Sequence, residues 1–359
     1  MKHNLISLPK LVLGSASLLA AYFLFSPRIA KGLYNAMLFR PYPFPEGDYQ
    51  SGHINDVRYE DVYFNSIDGT KLHGWYFGQK NATYTILMSH GNTGNIAGRP
   101  NLISALLKTG ANLFIYDYRG YGRSEGTPTV SGVIDDGCAA FDYLVNEKKI
   151  AASEIVLYGE SLGVAITCQI SSRRKAQGMI LQSGFASLPR IGREHVPLMH
   201  LYPSVLFPQP LLDNISVLKS GHPPLLIVHG HKDAVVPFLH GKELFNAASG
   251  KKVLVEFPEC EHSDIPTVAS EKFVTAMSDF LKGLTQVEAE AGIIATDTTI
   301  VSLDSSCTAE NGSENFNANA SSNNNGNGNG NGKQKIADKK NGFMPGKSTS
   351  NVDARHPAG

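Results

Sequence analysis

The sequence Gly-Glu-Ser-Leu-Gly at residues 159–163 contains the residue types needed for nucleophilic chemistry. It follows the apolar, β-branched run Ile155–Tyr158 and precedes a small-residue helical pattern. A serine at such a strand-to-helix turn has a strained backbone, and glycine at the flanking positions leaves room for the tight turn. The turn would lift the Ser161 hydroxyl above the sheet edge, beside the positive end of the next helix. The alternative is a glycine-containing turn whose serine only caps that helix.

A serine nucleophile requires a base, and the base requires a carboxylate that orients it. Two later apolar runs are each followed by a loop that contains a suitable acid or base. Pro224–His229 leads into a loop with Asp233, and Lys252–Phe257 leads into a loop with His262. Functional residues of parallel sheets lie at the carboxyl ends of the strands. The sequence therefore predicts Ser161 as nucleophile, Asp233 as acid and His262 as base.

Several other acids and histidines compete for these roles. Glu261 and Asp264 are too close to His262 in sequence to reach its far ring nitrogen comfortably. His90 is better placed to brace the backbone than to take protons, and His231 precedes the predicted acid by only two residues. The remaining competitors lie beside the nucleophile, in the later insert and at a strand end: Glu160, Asp213 and His229.

An oxyanion formed at Ser161 requires two backbone donors. The residue after the nucleophile, Leu162, supplies one N–H, and the loop after the strand Tyr84–Ser89 supplies the second through Asn92. Gly91 allows a close approach of the chain. The sequence HGNTGN at residues 90–95 is also compatible with a plain glycine-rich turn. It lacks the glycine and lysine pattern of a phosphate-binding loop.

The surrounding chain alternates short apolar strands with amphipathic helices, which predicts an α/β fold with a doubly wound, mostly parallel sheet. The runs Val57–Asn65 and Lys71–Gly78 predict a hairpin at its start. Eight strands are expected in the sheet. Between residues 183 and 219 the alternation lapses into an insert rich in Pro, Leu and His, which predicts a short cap over the site.

Five motifs in this order resemble the α/β-hydrolase superfamily: HGNTGN, YDYRGYGRSEG, GESLG, HGHKDAVVP and ECEHSD. The resemblance covers Val57 to Leu284. It is strongest to the membrane-anchored serine hydrolases of the alpha/beta hydrolase domain-containing protein thirteen and seventeen type and their bacterial relatives. It implies an α/β-hydrolase fold with Asn92 and Leu162 in the oxyanion hole, and it implies the same nucleophile, acid and base as above. The stretch Asp117 to Ser124 is structural in this family. The N-terminal cysteine cluster of the seventeen type is absent.

Composition narrows the choice of partners. The 359 residues contain 32 Lys+Arg and 32 Asp+Glu, with no dense basic run, so nucleic acid is not an expected partner. The four cysteines are far apart and form no metal-binding pattern. Neither a metal nor a cofactor is expected. Oligomeric state is not encoded in any feature of the sequence.

The two ends of the chain differ from the central part. The uncharged run Leu11–Phe25 predicts an N-terminal membrane anchor within residues 1–27, with a cleaved signal of a secreted or periplasmic protein as the alternative. Residues 28–56 are expected to form a linker. Residues 285–359, which include the Asn/Gly-rich segment Asn311–Gly332, are predicted to be a disordered tail.

The expected function is that of a serine hydrolase which cleaves carboxylic esters or thioesters of acyl or lipid-like molecules through an acyl-enzyme. Two alternatives stay open. A peptidase or amidase with the same three residues would need acids to bind a charged terminus, and the insert contains only Glu194 and Asp213. A non-catalytic binding module would not need the three residues at all.

Overall fold

The computed structural model of the protein describes residues 8–49, 51–54, 56–289 and 298–301. Its central element is a nine-stranded sheet. Six of the eight neighbouring strand pairs are parallel, and both antiparallel pairs involve Lys71–Phe77. The order across the sheet is Thr298–Val301, Lys252–Phe257, Leu225–Gly230, Gly178–Gln182, Ile155–Glu160, Thr85–Ser89, Asn112–Asp117, Lys71–Phe77 and Glu60–Asn65.

The predicted doubly wound α/β-hydrolase fold is confirmed, with nine strands instead of eight. The additional strand, Thr298–Val301, pairs in parallel with Lys252–Phe257 and lies in the range predicted as tail. Its four residues are too short a run to stand out in a polar region of the sequence. The Asn/Gly-rich segment and the rest of the tail beyond residue 301 lie outside the described residues.

Helices cover both faces of the sheet because successive strand residues point to opposite sides. In the strand Leu225–Gly230, Leu225 and Ile227 belong to one core, whereas Leu226 and Val228 belong to the other. The α-helices are Leu8–Leu24, Lys31–Leu38, Pro100–Leu107, Val130–Asn146, Leu162–Ser171, Leu188–His195, Asn214–Ser220, Phe238–Ala247, Ile265–Val268 and Ser270–Ala289. Short 3₁₀ helices occupy Ile96–Gly98, Ala152–Glu154, Pro197–Leu201 and Ser204–Leu206.

The N-terminal part of the chain packs on the insert at residues 183–219. The helix Leu8–Leu24 coincides with the predicted anchor, and in the described residues no helix combines the length and apolarity required to cross a membrane. The range 28–56, expected to be a linker, contains the helix Lys31–Leu38 and the strand Arg40–Pro41, which pairs with Thr93–Gly94. Short strands also pair at His53–Ile54 and Val57–Arg58.

Candidate active site

Ser161 lies on a sharp turn between the strand Ile155–Glu160 and the helix Leu162–Ser171. Its φ of +55° is in the left-handed region, which a serine adopts only when its surroundings impose it. A Cβ on Gly159 would lie 2.5 Å from the Gly163 oxygen, and one on Gly163 would lie 1.9 Å from the Ser89 oxygen. The two glycines are therefore required for the turn to pack against the neighbouring chain.

The three predicted side chains meet at the carboxyl ends of their strands. His262 Nδ1 lies 2.8 Å from Asp233 Oδ2, and His262 Nε2 lies 2.9 Å from Ser161 Oγ. A carboxylate can only accept, so Nδ1 bears the hydrogen and Nε2 is free to accept from the serine hydroxyl. Ser161 makes no capping hydrogen bond to its helix, which excludes the alternative that it only caps the helix.

Asp233 is buried and fully engaged. The N–H groups of Val235 and Val236 donate to its Oδ1 at 2.9 and 2.7 Å, and His229 Nε2 lies 3.2 Å from its Oδ2. Burial alone would raise the pKa of Asp233, but the hydrogen bonds from His229 and His262 outweigh it and hold the pKa well below its usual range. Asp233 is therefore an ionised carboxylate at neutral pH.

Two residues that orient these groups were not identified from the sequence. Ser183 donates from Oγ to the His262 carbonyl oxygen at 2.8 Å, and its φ is +52°. His229, considered only as a competitor, has Nε2 2.8 Å from the Val236 carbonyl oxygen and supports the loop of Asp233. Ser183 follows directly on the strand Gly178–Gln182, so its position at a strand end was the available signal.

The loop His90–Asn92 approaches Ser161 from the adjacent strand. The Tyr118 hydroxyl donates to the His90 carbonyl oxygen and the Tyr121 hydroxyl to that of Asn92, both at 2.7 Å. His90 Nδ1 lies 2.7 Å from the Gly91 oxygen, so this histidine braces the backbone. Among the described residues, the N–H groups of Asn92 and Leu162 have no acceptor, which leaves both available beside the serine.

Asp117, the last residue of the strand Asn112–Asp117, supports this loop. Asp117 is completely buried, accepts the Ile96 N–H at 2.9 Å and lies 3.4 Å from His90 Nε2. Burial would raise the pKa of Asp117, but its contacts with His73 and His90 have the larger effect. The pKa of Asp117 is therefore below its usual value. The charge of this aspartate thus holds the histidine that braces the loop.

The other competing residues are occupied elsewhere. His231 lies 3.0 Å from Glu256 at the surface, Asp264 accepts the Glu261 N–H at 2.7 Å, and Asp213 caps the helix Asn214–Ser220. Glu160 is buried, with Oε2 3.5 Å from Arg99 Nε. Within the chain segments described above, no group of three or more His, Cys, Asp or Glu side chains could hold a metal ion.

A cavity of about 630 Å³ opens above Ser161 and His262. We call the segments that cover it, residues 22–38 and 188–208, the roof. Arg28 N–H donates to the Leu206 oxygen at 2.7 Å, and the Tyr22 ring stacks on Tyr202 at 4.9 Å. The apolar part of the wall comes mainly from the roof and the adjoining loops: Met37, Leu38, Leu162, Phe185, Leu188, Ile191, Val196, Met199, Phe207, Val235 and Val236.

The fold and the arrangement around Ser161 are those of the α/β-hydrolase superfamily. Residues 80–219 match the family described as serine aminopeptidase, S33. The alpha/beta hydrolase domain-containing protein WAV2 of Arabidopsis thaliana is 32% identical over 57% of this chain and 73% of its own length. An uncharacterized membrane protein of Saccharomyces cerevisiae is 30% identical over 63% of this chain and 80% of its own.

The solved structures agree on the fold. An esterase from Pyrococcus furiosus superposes with a TM-score of 0.58 at 21% identity, over 68% of this chain and 98% of its own. The chain therefore belongs to the α/β-hydrolase superfamily and is assigned to the hydrolase class of enzymes.

Proposed function

We propose that the protein is a serine hydrolase that cleaves carboxylic esters or thioesters through an acyl-enzyme. The observation that supports this most directly is the hydrogen-bonded line from Ser161 Oγ through the His262 ring to the buried Asp233 carboxylate. A partly exposed serine at a strained turn, with an imidazole nitrogen within hydrogen-bond distance of its hydroxyl, is an activated nucleophile.

In the proposed reaction His262 Nε2 takes the proton of Ser161 as Oγ attacks the substrate carbonyl carbon. Asp233 holds the imidazole and stabilises its protonated form. The developing oxyanion accepts from the N–H groups of Leu162 and Asn92, each contributing about 3 kcal/mol. His262 then gives its proton to the leaving alcohol or thiol. A water, deprotonated by the same ring, releases the acyl group and regenerates the serine.

The description of the matched family raises the alternative of an aminopeptidase. Such an enzyme must bind the charged amino terminus of a peptide, which requires a free carboxylate near the nucleophile. Glu194 Oε2 lies 2.7 Å from His240 Nε2, Asp213 caps a helix, and Glu160 is paired with Arg99. Because these acids are already engaged, the ester or thioester reaction is favoured.

The apolar wall of the cavity supports an acyl chain as the bound group. The cluster Met199, Tyr202 and Phe207 forms the centre of the roof, and Tyr22 and Tyr34 pack against it. An acyl chain of several carbons would bury apolar surface there. Each buried methylene would contribute about 0.8 kcal/mol of favourable transfer free energy to binding. We therefore propose acyl or lipid-like esters as the substrate class.

The test is a panel of 4-nitrophenyl esters, acyl thioesters and aminoacyl anilides of matched length. Esters or thioesters should be the best substrates of the wild type, and Ser161→Ala should lose at least about 10³-fold in kcat/KM. Ser172→Ala, at the exposed end of the same helix, is the matched control. Faster turnover of anilides would favour the peptidase. A folded wild type without turnover on any of them would favour a non-catalytic binding module.

We also propose that the N-terminal helix attaches the enzyme to a lipid surface. Leu18, Leu24 and Phe25 are 74%, 62% and 63% exposed, which is an unusual concentration of apolar surface. The full chain should sediment with phosphatidylcholine vesicles, and the pair Leu18→Asp and Leu24→Asp should remain in the supernatant. Ile67→Asp, equally exposed at 68% on the distant hairpin turn, is the control. Equal sedimentation of all variants would contradict the proposal.

A further inference from the structure

The wall of the cavity above Ser161 has two chemically different parts. One part is the apolar roof. The other includes two arginines, Arg40 and Arg99, which line the same cavity as the nucleophile. The sequence gives no sign of this pairing, because the two arginines are 59 positions apart and belong to different elements.

Arg99 lies directly beside the site. Its Nη2 donates to the Thr93 carbonyl oxygen at 2.7 Å. A Cβ placed on Gly91 would lie 3.4 Å from Arg99 Nη2 and 3.6 Å from Ser161 Cβ, so both side chains lie against the same glycine. The Arg99 Nε is buried and lies 3.5 Å from Glu160 Oε2, an ion pair without hydrogen-bond geometry. The side chain as a whole is 17% exposed, so only part of the guanidinium is accessible to a ligand.

Arg40 reaches the same place from the N-terminal strand. It pairs in register with Thr93, and its N–H donates to the Asn92 oxygen at 2.9 Å. Thr93 thus connects the two arginines, one through strand pairing and one through a hydrogen bond. In the part of the chain that the structure describes, the Arg40 guanidinium makes no hydrogen bond or ion pair.

The charges of Arg40, Arg99 and Glu160 do not cancel. Glu160 is the one carboxylate among the described residues that line the cavity, and it lies 3.5 Å from Arg99. That pairing leaves the charge of Arg40 uncompensated. A planar guanidinium binds carboxylate and phosphate groups through two parallel hydrogen bonds, which makes an arginine pair a better receptor for an oxyanion than for a neutral polar group.

We propose that Arg40 and Arg99 bind an anionic group of the substrate, so that the enzyme selects acyl esters that also bear a phosphate. This inference rests on the proposed function, because it concerns the substrate of the same site. The acyl chain occupies the apolar roof, the ester carbonyl lies at Ser161, and the phosphate lies against the two arginines. The substrate is thus an amphipathic, single-chain acyl ester with a phosphate on its alcohol part.

The experiment compares 1-octanoylglycerol 3-phosphate with 1-octanoylglycerol, which present the same ester with and without the charge. The wild type should prefer the phosphate ester by at least about tenfold in kcat/KM. Arg40→Gln should reduce this preference to about threefold or less, and Arg40→Lys should give an intermediate value because lysine lacks the bidentate geometry. Arg58→Gln, an exposed arginine away from the cavity, should retain the full preference.

Octyl phosphate, which contains no carboxylic ester, provides a readout independent of turnover. It should bind the wild type and Ser161→Ala equally, and bind Arg40→Gln at least about tenfold more weakly. Equal kcat/KM for the two octanoyl esters in the wild type would overturn the inference and leave the hydrolase proposal intact. Octyl phosphate binding without hydrolysis of any ester would instead refute the proposed function while supporting the anion site.

Discussion

The hydrogen-bonded cluster at Ser161 and the roof over it are built in different ways. Ser161 directly follows a strand of the sheet, and Asp233 and His262 lie in the loops that follow two other strands of the same sheet, so the backbone determines where each side chain lies. The roof joins segments that are far apart in sequence, such as Tyr22 and Leu201, whose hydrogen bond of 2.8 Å spans 179 residues. We infer from the comparison that the sheet positions the proposed nucleophile, whereas contacts between the N-terminal helices and residues 188–208 shape the cavity that would bind the substrate.

This difference predicts large effects on turnover from changes in the cluster. Asp233→Asn keeps the size of the side chain but removes the charge that orients the His262 ring. We expect a loss of about 10⁴-fold in kcat for a short ester, with the fold retained. Asp279→Asn, on an exposed position of the last helix, is the control. A loss below about tenfold would show that Asp233 does not serve the proposed reaction.

The same variant gives a pH-dependent difference in stability. The folded pKa of Asp233 is below that of an ordinary aspartate because its hydrogen bonds from His229 and His262 outweigh burial. The unfolded chain therefore binds more protons, and the aspartate stabilises the fold at pH values above about 4. This contribution is lost as pH falls through the lowered pKa. Urea unfolding of the wild type and Asp233→Asn should thus differ most near neutrality and converge in strong acid.

A smaller effect is expected from Ser183, which holds the loop of His262 through one hydrogen bond. Ser183→Ala removes a bond worth about 1 kcal/mol, so kcat should fall about fivefold. KM should change little, because Ser183 does not line the cavity. Steady-state kinetics on one ester, with Ser220→Ala as the control, separates the two parameters. A change confined to KM would contradict the assigned positioning role.

The smallest effect concerns the roof. Tyr22→Ala removes a ring stacked on Tyr202 and a hydrogen bond to Leu201, and the stack is worth about 1 kcal/mol. KM for an octanoyl ester should rise about threefold, whereas kcat and the KM of an acetyl ester should stay within about twofold. Tyr63→Ala, 47% exposed on the edge strand, is the control. Equal effects on both esters would place Tyr22 outside the acyl-binding part of the roof.

The sequence predicted eight of the nine strands and the positions of Ser161, Asp233 and His262 after strand ends, because these features depend on local signals. Ser161 has a glycine two positions away on each side, and Asp233 and His262 each follow an apolar run. The roof has no comparable signal. The helix Lys31–Leu38 has only eight residues and no side-chain cap, and its place is determined by Arg40 pairing with Thr93. Neighbours of this kind become visible only when the chain is folded.

The most direct test of the account is covalent labelling of Ser161. The full chain is treated with a fluorophosphonate, and the modified residue is located by mass spectrometry of its peptides. We expect one adduct, on Ser161, that is absent from Ser161→Ala and forms at least about 10³-fold more slowly in His262→Ala. An adduct on another residue, or equal labelling of wild type and His262→Ala, would contradict the claim that the three side chains act as one nucleophilic unit.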